Sequence, residues 1–162
     1  MILEDFTIKF EYGKQKFYSF ILNSWNVYER FLRSIFQTFQ QKFNVNFYEI
    51  PNLSYEVDWD KRVEPDIVLW YEEDEPIIID AKYKEEFKDE DFYQMSHYLG
   101  LSKAKNGFLI YPKSEELQTE QTIPFHLKDI PVRIHNILID LSKVDDREYL
   151  DEFVNNICEY SG

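Results

Sequence analysis

Apolar and polar residues alternate along residues 6–12 (FTIKFEY), the two-residue period of a half-buried strand. The period then changes. Over residues 22–43, Trp25, Tyr28, Leu32, Ile35, Phe36, Phe39 and Phe43 recur at helical spacing and predict a long amphipathic helix. Asn23 or Ser24 is available to cap its start. Residues 45–50 (VNFYEI) predict a strand stopped by Pro51. Two apolar runs follow, Ile67-Val68-Leu69-Trp70 and Ile77-Ile78-Ile79. The acidic stretch Glu72-Glu73-Asp74-Glu75 between them reads as a turn, so a β-hairpin is expected. Residues 89–102 predict a second helix, opened by Asp89, Glu90 and Asp91 where the helix dipole favours negative charge. Residues 107–111 (GFLIY) predict a strand ended by Pro112, and residues 113–129 a loop with at most a short strand. Residues 132–141 predict another strand and residues 145–159 a closing helix. This order predicts an α/β (α+β) fold class, a mixed central sheet flanked by helices.

A chain of 162 residues suits one domain, and no composition break, Gly/Ser-rich linker or internal repeat divides residues 1–162. With 44% hydrophobic and 18% aromatic residues it has ample material for a core, which excludes a disordered chain. Cys158 is the only cysteine, so no intrachain disulfide can form. The first ten residues lack the basic start and long apolar run of a signal peptide, and no apolar run approaches a membrane span. A cytoplasmic protein without membrane attachment is the expectation. The charge balance, 31 acidic against 18 basic residues for a net −13, weighs against a free-standing DNA binder, because DNA affinity comes mostly from Lys and Arg on phosphates. It weighs less against a catalytic subunit brought to DNA by a partner.

The candidate chemistry sits on the hairpin. Side chains alternate faces along a strand, so Asp80 and Lys82 point one way and Ala81 the other. Asp66 stands at the start of the neighbouring strand, and a short turn brings it near Asp80. Either piece alone is more often a turn residue or a surface ion pair. Together, at the end of a triple-Ile strand that should be buried, these charges need partners. A hard divalent cation such as Mg²⁺ is one, since it takes oxygen ligands and keeps several waters. Lys82 is then placed to touch the attacking water or a phosphate oxygen, and the parts match phosphodiester hydrolysis. Two further candidates lie on helices. Glu29 falls at the edge of the apolar arc of the first helix, where it either leans into the site or pairs with a Lys or Arg. Gln94 and Tyr98, four apart, share a face roughly opposite Phe92, Met95 and Leu99, toward solvent or toward a cleft.

These residues resemble the PD-(D/E)xK nuclease superfamily. Pro65-Asp66 and Asp80-Ala81-Lys82 resemble its central motif, Glu29 the acidic residue of its first core helix, and Gln94-Met95-Ser96-His97-Tyr98 the Q-x-x-x-Y motif of its RecB-like branch. The run from Asp91 to Pro112, with Tyr28-Glu29-Arg30-Phe31-Leu32, is closer still to the McrC nuclease subunits of McrBC-type, modification-dependent restriction systems. The resemblance covers roughly residues 22–113. It implies a mixed four-stranded sheet with flanking helices and Mg²⁺-dependent DNA cleavage, with Mn²⁺ able to substitute. It implies that Asp66, Asp80 and the backbone carbonyl of Ala81 hold the metal and that Glu29 supports it. Lys82 would orient the attacking water, and Gln94 and Tyr98 would position Lys82 or the DNA backbone. It also implies a GTP-driven, AAA+-type translocating partner. McrC-like proteins carry a further N-terminal region that engages that partner, whereas this chain begins close to the nuclease core; an isolated domain or a short relative is therefore expected.

Three functions are compatible with this pattern: a DNA endonuclease of a restriction or defence system, a silent nuclease-fold module serving as an assembly platform, and a RecB-like exonuclease or repair nuclease. Intact Asp66, Asp80 and Lys82 favour an enzyme, while the negative charge and abundant aromatics favour a platform. Cutting both strands commonly takes two active sites, which a homodimer would supply. His97, His126 and His135 lack metal-ligand spacing, Cys158 reads as a packing residue, and no Walker or zinc pattern is present.

Overall fold

The computed structural model describes residues 7–12, 15–20, 24–39, 45–48, 65–71, 76–102 and 104–160. Strands β1 (Thr7–Tyr12) and β2 (Gln15–Phe20) form an antiparallel ribbon. Helix α1 (Ser24–Phe39) follows, then β3 (Val45–Tyr48), β4 (Ile67–Tyr71), β5 (Ile77–Ala81), helix α2 (Asp89–Ser102), β6 (Asn106–Pro112), β7 (Gln121–Leu127), β8 (Ile130–Ile139) and helix α3 (Arg147–Glu159). Strands β3 to β8 make one sheet of six strands in the order β3-β4-β5-β6-β8-β7. β5, β6 and β8 run parallel; β3 with β4, β4 with β5, and β7 with β8 run antiparallel. The mixed α+β class is as expected, but the sheet has six strands rather than four.

The two apolar runs pair as a hairpin, Ile67 opposite Ile79 and Leu69 opposite Ile77. The acidic segment Glu72–Glu75 lies outside the described residues, as do Asn23 and residues 40–43 of the expected first helix. α2 occupies the expected residues. Two strands go beyond the sequence pattern. β2 falls where that pattern predicts no element. β7 falls within the expected loop because it is an edge strand with alternating, half-exposed residues and carries Pro124, which weakens a strand signal. β8 stops at Ile139 rather than 141, because the Asp140 carboxylate accepts from the Ser142 amide and caps a short 3₁₀ turn, Leu141–Lys143. Asp146 caps α3 in the same way, accepting from the amides of Glu148 and Tyr149.

The sheet is apolar on both faces because helices cover both. Ile67, Leu69, Ile77, Ile79, Phe108 and Ile110 pack with α1 (Leu32, Phe36) and α3 (Phe153, Ile157). The residues between them, Val68, Ile78, Leu109 and Tyr111, pack with α2 through Met95, Tyr98 and Leu99. Each fully buried isoleucine contributes about 1.5–3 kcal/mol, enough to fix which face of β5 turns toward which helix. α2 lies close on β6: a Cβ on Gly107 would come 2.5 Å from the Met95 sulfur, so the strand needs a glycine there. Trp25 departs from its expected place in the apolar arc of α1, standing 57% exposed. Among the described residues no helix is long and apolar enough to cross a membrane.

Candidate active site

Asp80 is the fourth residue of β5, on the face shared with Ile78 and turned toward α2. Asp66 directly precedes β4, and extending the β4–β5 register by one step sets it opposite Asp80. The two carboxyls therefore meet at the end of the hairpin, which is also the carboxyl end of the parallel strand β5. The Asp66 Oδ2 accepts the Ala81 amide at 2.7 Å, which ties the start of β4 to the end of β5. Ala81 packs on the opposite, α1 side. Lys82 continues the register toward β6, its amide donating to the Ile110 carbonyl at 2.9 Å. Tyr28 of α1 donates to that same carbonyl at 3.1 Å.

Lys82 is a buried lysine, 6% exposed, and its ammonium is surrounded by acceptors. It pairs with Asp80 Oδ2, donates to Gln94 Oε1 at 2.6 Å and lies 3.5 Å from Asp91 Oδ1. Gln94 in turn donates through Nε2 to the Tyr98 hydroxyl at 2.8 Å. A charge this deep needs such a shell of partners. Burial, and then the negative charge of Asp80, raise the Tyr98 phenol above its ordinary range, so it remains a neutral hydroxyl.

Asp66, Asp80, Ala81, Lys82, Gln94, Tyr98 and Glu29 line one cleft of about 280 Å³, between the start of α1 and the first half of α2. Every candidate residue named from the sequence borders it. Glu29 does both things left open for it: it faces the cleft and it pairs with Arg33 one turn on at 3.0 Å. Tyr98 is 4% exposed and packs with Met95 and Leu99 rather than on the face opposite them, as residues only three and one apart in a helix can, so it forms part of the cleft floor.

Burial pushes the Asp66 carboxyl up to about 8, the Asp80 charge pushes it the same way, the Ala81 amide opposes, and Glu29 adds to the rise. Two carboxyls facing one another in a largely buried site should behave in this way. Among the described residues no group of three or more His, Cys, Asp or Glu side chains is arranged to hold a metal ion. The donor set is smaller: two carboxyls and the peptide between Asp80 and Lys82. That fits Mg²⁺, commonly held by one or two carboxylates with water and substrate completing its shell, and it does not fit an enclosed zinc cage.

Residues 1–112 match the family described as McrBC 5-methylcytosine restriction system component. The chain belongs to this family. No curated protein matches this McrBC-family chain. Among solved structures, a chain of the refined half-complex from the tetradecameric assembly of Thermococcus gammatolerans McrB AAA+ hexamers with bound McrC is similar. Its TM-score is 0.64 and its identity 17%, over 86% of the present chain and 34% of that one. At that identity the likeness is one of fold, and the McrBC-family chain spans about a third of that chain's length.

Several cleft residues of the McrBC-family chain are not singled out by the sequence pattern. Asp91, which reads there only as a helix-start acid, is 3% exposed and holds Lys84 at 2.7 Å. Its other oxygen accepts the Tyr111 hydroxyl at 3.1 Å. A signal is present for Asp91: Asp91, Gln94 and Tyr98 stand at i, i+3 and i+7, one helical face. Trp25 and Glu90 complete the mouth of the cleft. The histidines lie away from it. His135 is wedged between Thr122 at 3.0 Å and Asn106 at 3.3 Å and stacks on Phe108. Burial, with Arg133 nearby, lowers it to about 4, which keeps the ring neutral. Cys158 is buried, which raises its thiol to about 11 and leaves it unreactive.

Proposed function

We propose that the chain is a divalent-cation-dependent DNA endonuclease of the PD-(D/E)xK type. It would be the catalytic part of a McrBC-like restriction or defence system working with an AAA+ partner. The observation that carries this reading is the meeting of Asp66 and Asp80 across the β4–β5 hairpin beside the buried Lys82 ammonium. Family membership and the likeness to a chain from an McrB–McrC assembly support it.

In this reading Asp66, Asp80 and the Ala81 carbonyl hold Mg²⁺, or Mn²⁺ in its place, with Glu29 supporting from α1. When bound, the cation supplies Lewis-acid activation of the phosphate and of water. The protein's own groups do the rest. Lys82 hydrogen-bonds the attacking water and steadies charge on the phosphate oxygens as the new O–P bond forms and the bridging P–O bond breaks. Gln94 fixes the Lys82 ammonium through Oε1 and is itself fixed by Tyr98, so the lysine cannot rotate out of line. Because the Asp66 carboxyl is raised, holding a cation there would require its proton to leave, and affinity for the cation would rise with pH.

A second reading, a silent assembly platform, draws support from the net charge of −13 and from the acidic lining of the cleft. The two part in a plasmid nicking assay with Mg²⁺ or Mn²⁺, run with and without an AAA+ partner. The nuclease reading expects cation-dependent nicking that Asp80→Ala and Lys82→Ala abolish. Equal cutting by the variants, or no cutting by any form with the partner present, overturns it.

A further inference from the structure

The cleft is a poor host for a polyanion. Its charged lining, among the described residues, is Glu29, Asp66, Asp80, Glu90 and Asp91 against Lys82 and Lys84. Lys82 is buried at the cleft floor, its ammonium against Asp80 and Gln94 and 3.5 Å from Asp91 Oδ1. Lys84 differs. Its side chain is 29% exposed, it borders the cleft, and it follows Lys82 by two residues in the segment after β5. Its ammonium is held 2.7 Å from Asp91 Oδ1.

Asp91 has more partners than it needs. One oxygen accepts the Tyr111 hydroxyl, and the oxygen that Lys84 holds also lies 3.5 Å from Lys82. Stripping a buried carboxylate of its only cation is strongly destabilising. Removing Lys84 from this one is not equivalent, since Tyr111 and Lys82 remain. Lys84 thus combines a part-exposed side chain on a flexible stem, a partner that keeps other contacts when it leaves, and a position beside the reacting groups.

We propose that Lys84 is a further substrate-contacting residue, which leaves Asp91 to grip a backbone phosphate of the bound DNA strand next to the one cut. This deepens the nuclease reading and rests on it. Asp91 is the resting place of Lys84 in the free protein and keeps Lys82 in line when Lys84 moves out. The geometry also accounts for an acidic cleft accepting DNA: one cation is built into the floor and a second is stored at the rim.

The test is DNA binding measured by fluorescence anisotropy of a labelled duplex in Ca²⁺ buffer, for the wild type, Lys84→Ala and Lys84→Arg, with thermal melting of each. Loss of one phosphate contact should make the slope of log K against log[salt] shallower by about 0.9. Lys84→Ala should therefore bind several-fold more weakly at low salt. The gap should close about 3.5-fold between about 50 and 200 mM, with little change in melting. Lys84→Arg should keep the wild-type slope. A wild-type slope in Lys84→Ala, with a lowered melting point, makes Lys84 a structural partner of Asp91 and overturns the proposal while leaving the nuclease reading intact. No binding and no nicking by the wild type, with cation and partner supplied, overturns both.

Discussion

Replacing Asp66 by asparagine separates the carboxyl's charge from its shape, and the effect should depend on pH in a direction the structure dictates. In the folded protein the Asp66 carboxyl is pushed up to about 8 from the usual 3.8, by burial first and by Asp80 second. The folded chain therefore binds this proton more tightly than the unfolded chain. The resulting stabilisation is complete below about 3.8 and is lost as pH rises through about 8. Taken whole, that span corresponds to about 6 kcal/mol. Asp66 is partly open to the cleft, and solvent screening reduces the figure to about 2–3 kcal/mol. The asparagine amide does not titrate. Asp66→Asn should therefore gain on the wild type as pH rises from about 5 to 9, by roughly 5–10 °C in melting midpoint for a chain of this size. Melting both proteins in EDTA across that range, by circular dichroism, measures the difference directly. Mg²⁺ at the alkaline end should restore the wild type and not the variant, since a cation between Asp66 and Asp80 removes the repulsion. A melting difference that stays flat with pH, or grows the other way, would refute the account of two carboxyls crowding one another at the end of the hairpin.

Other outcomes follow from the same geometry. Asp80→Ala and Lys82→Ala should each lower nicking at least about 100-fold, the usual cost of losing a group that stabilises developing charge, read by plasmid relaxation on gels. Tyr98→Phe removes only the hydroxyl that Gln94 donates to, so nicking should fall roughly 3- to 10-fold, the worth of one hydrogen bond of about 0.5–1.5 kcal/mol, with melting little changed. Gly107→Ala forces a methyl group against Met95 beneath α2 and should destabilise the chain by about 1–3 kcal/mol in urea unfolding.

Much of this arrangement is legible along the chain, and the reason is local. The two-residue period through Ile77-Ile78-Ile79 tells which way Asp80 and Lys82 point, because alternation needs no knowledge of the rest of the fold. The helical period places Gln94 and Tyr98 on one face in the same way. The hairpin brings Asp66 to Asp80 through a short connection. What the chain cannot show depends on neighbours distant in sequence. β7 is an edge strand made possible by β8, and β8 lies beside β6 rather than at the rim; neither follows from periodicity. Trp25 has the spacing of a core residue and stands exposed because nothing described covers that end of α1.

Asp91 shows the division most clearly. By sequence it is one of three acids at the start of a helix, where all three are equally suited to the dipole. Only the seating of α2 on β6 buries this one, against Tyr111 twenty residues on and within reach of Lys82 and Lys84. Local periodicity determined which faces carry charge. The tertiary structure decided which of those charges lose their water and must find each other, because desolvation is a property of the packed chain and not of any one segment.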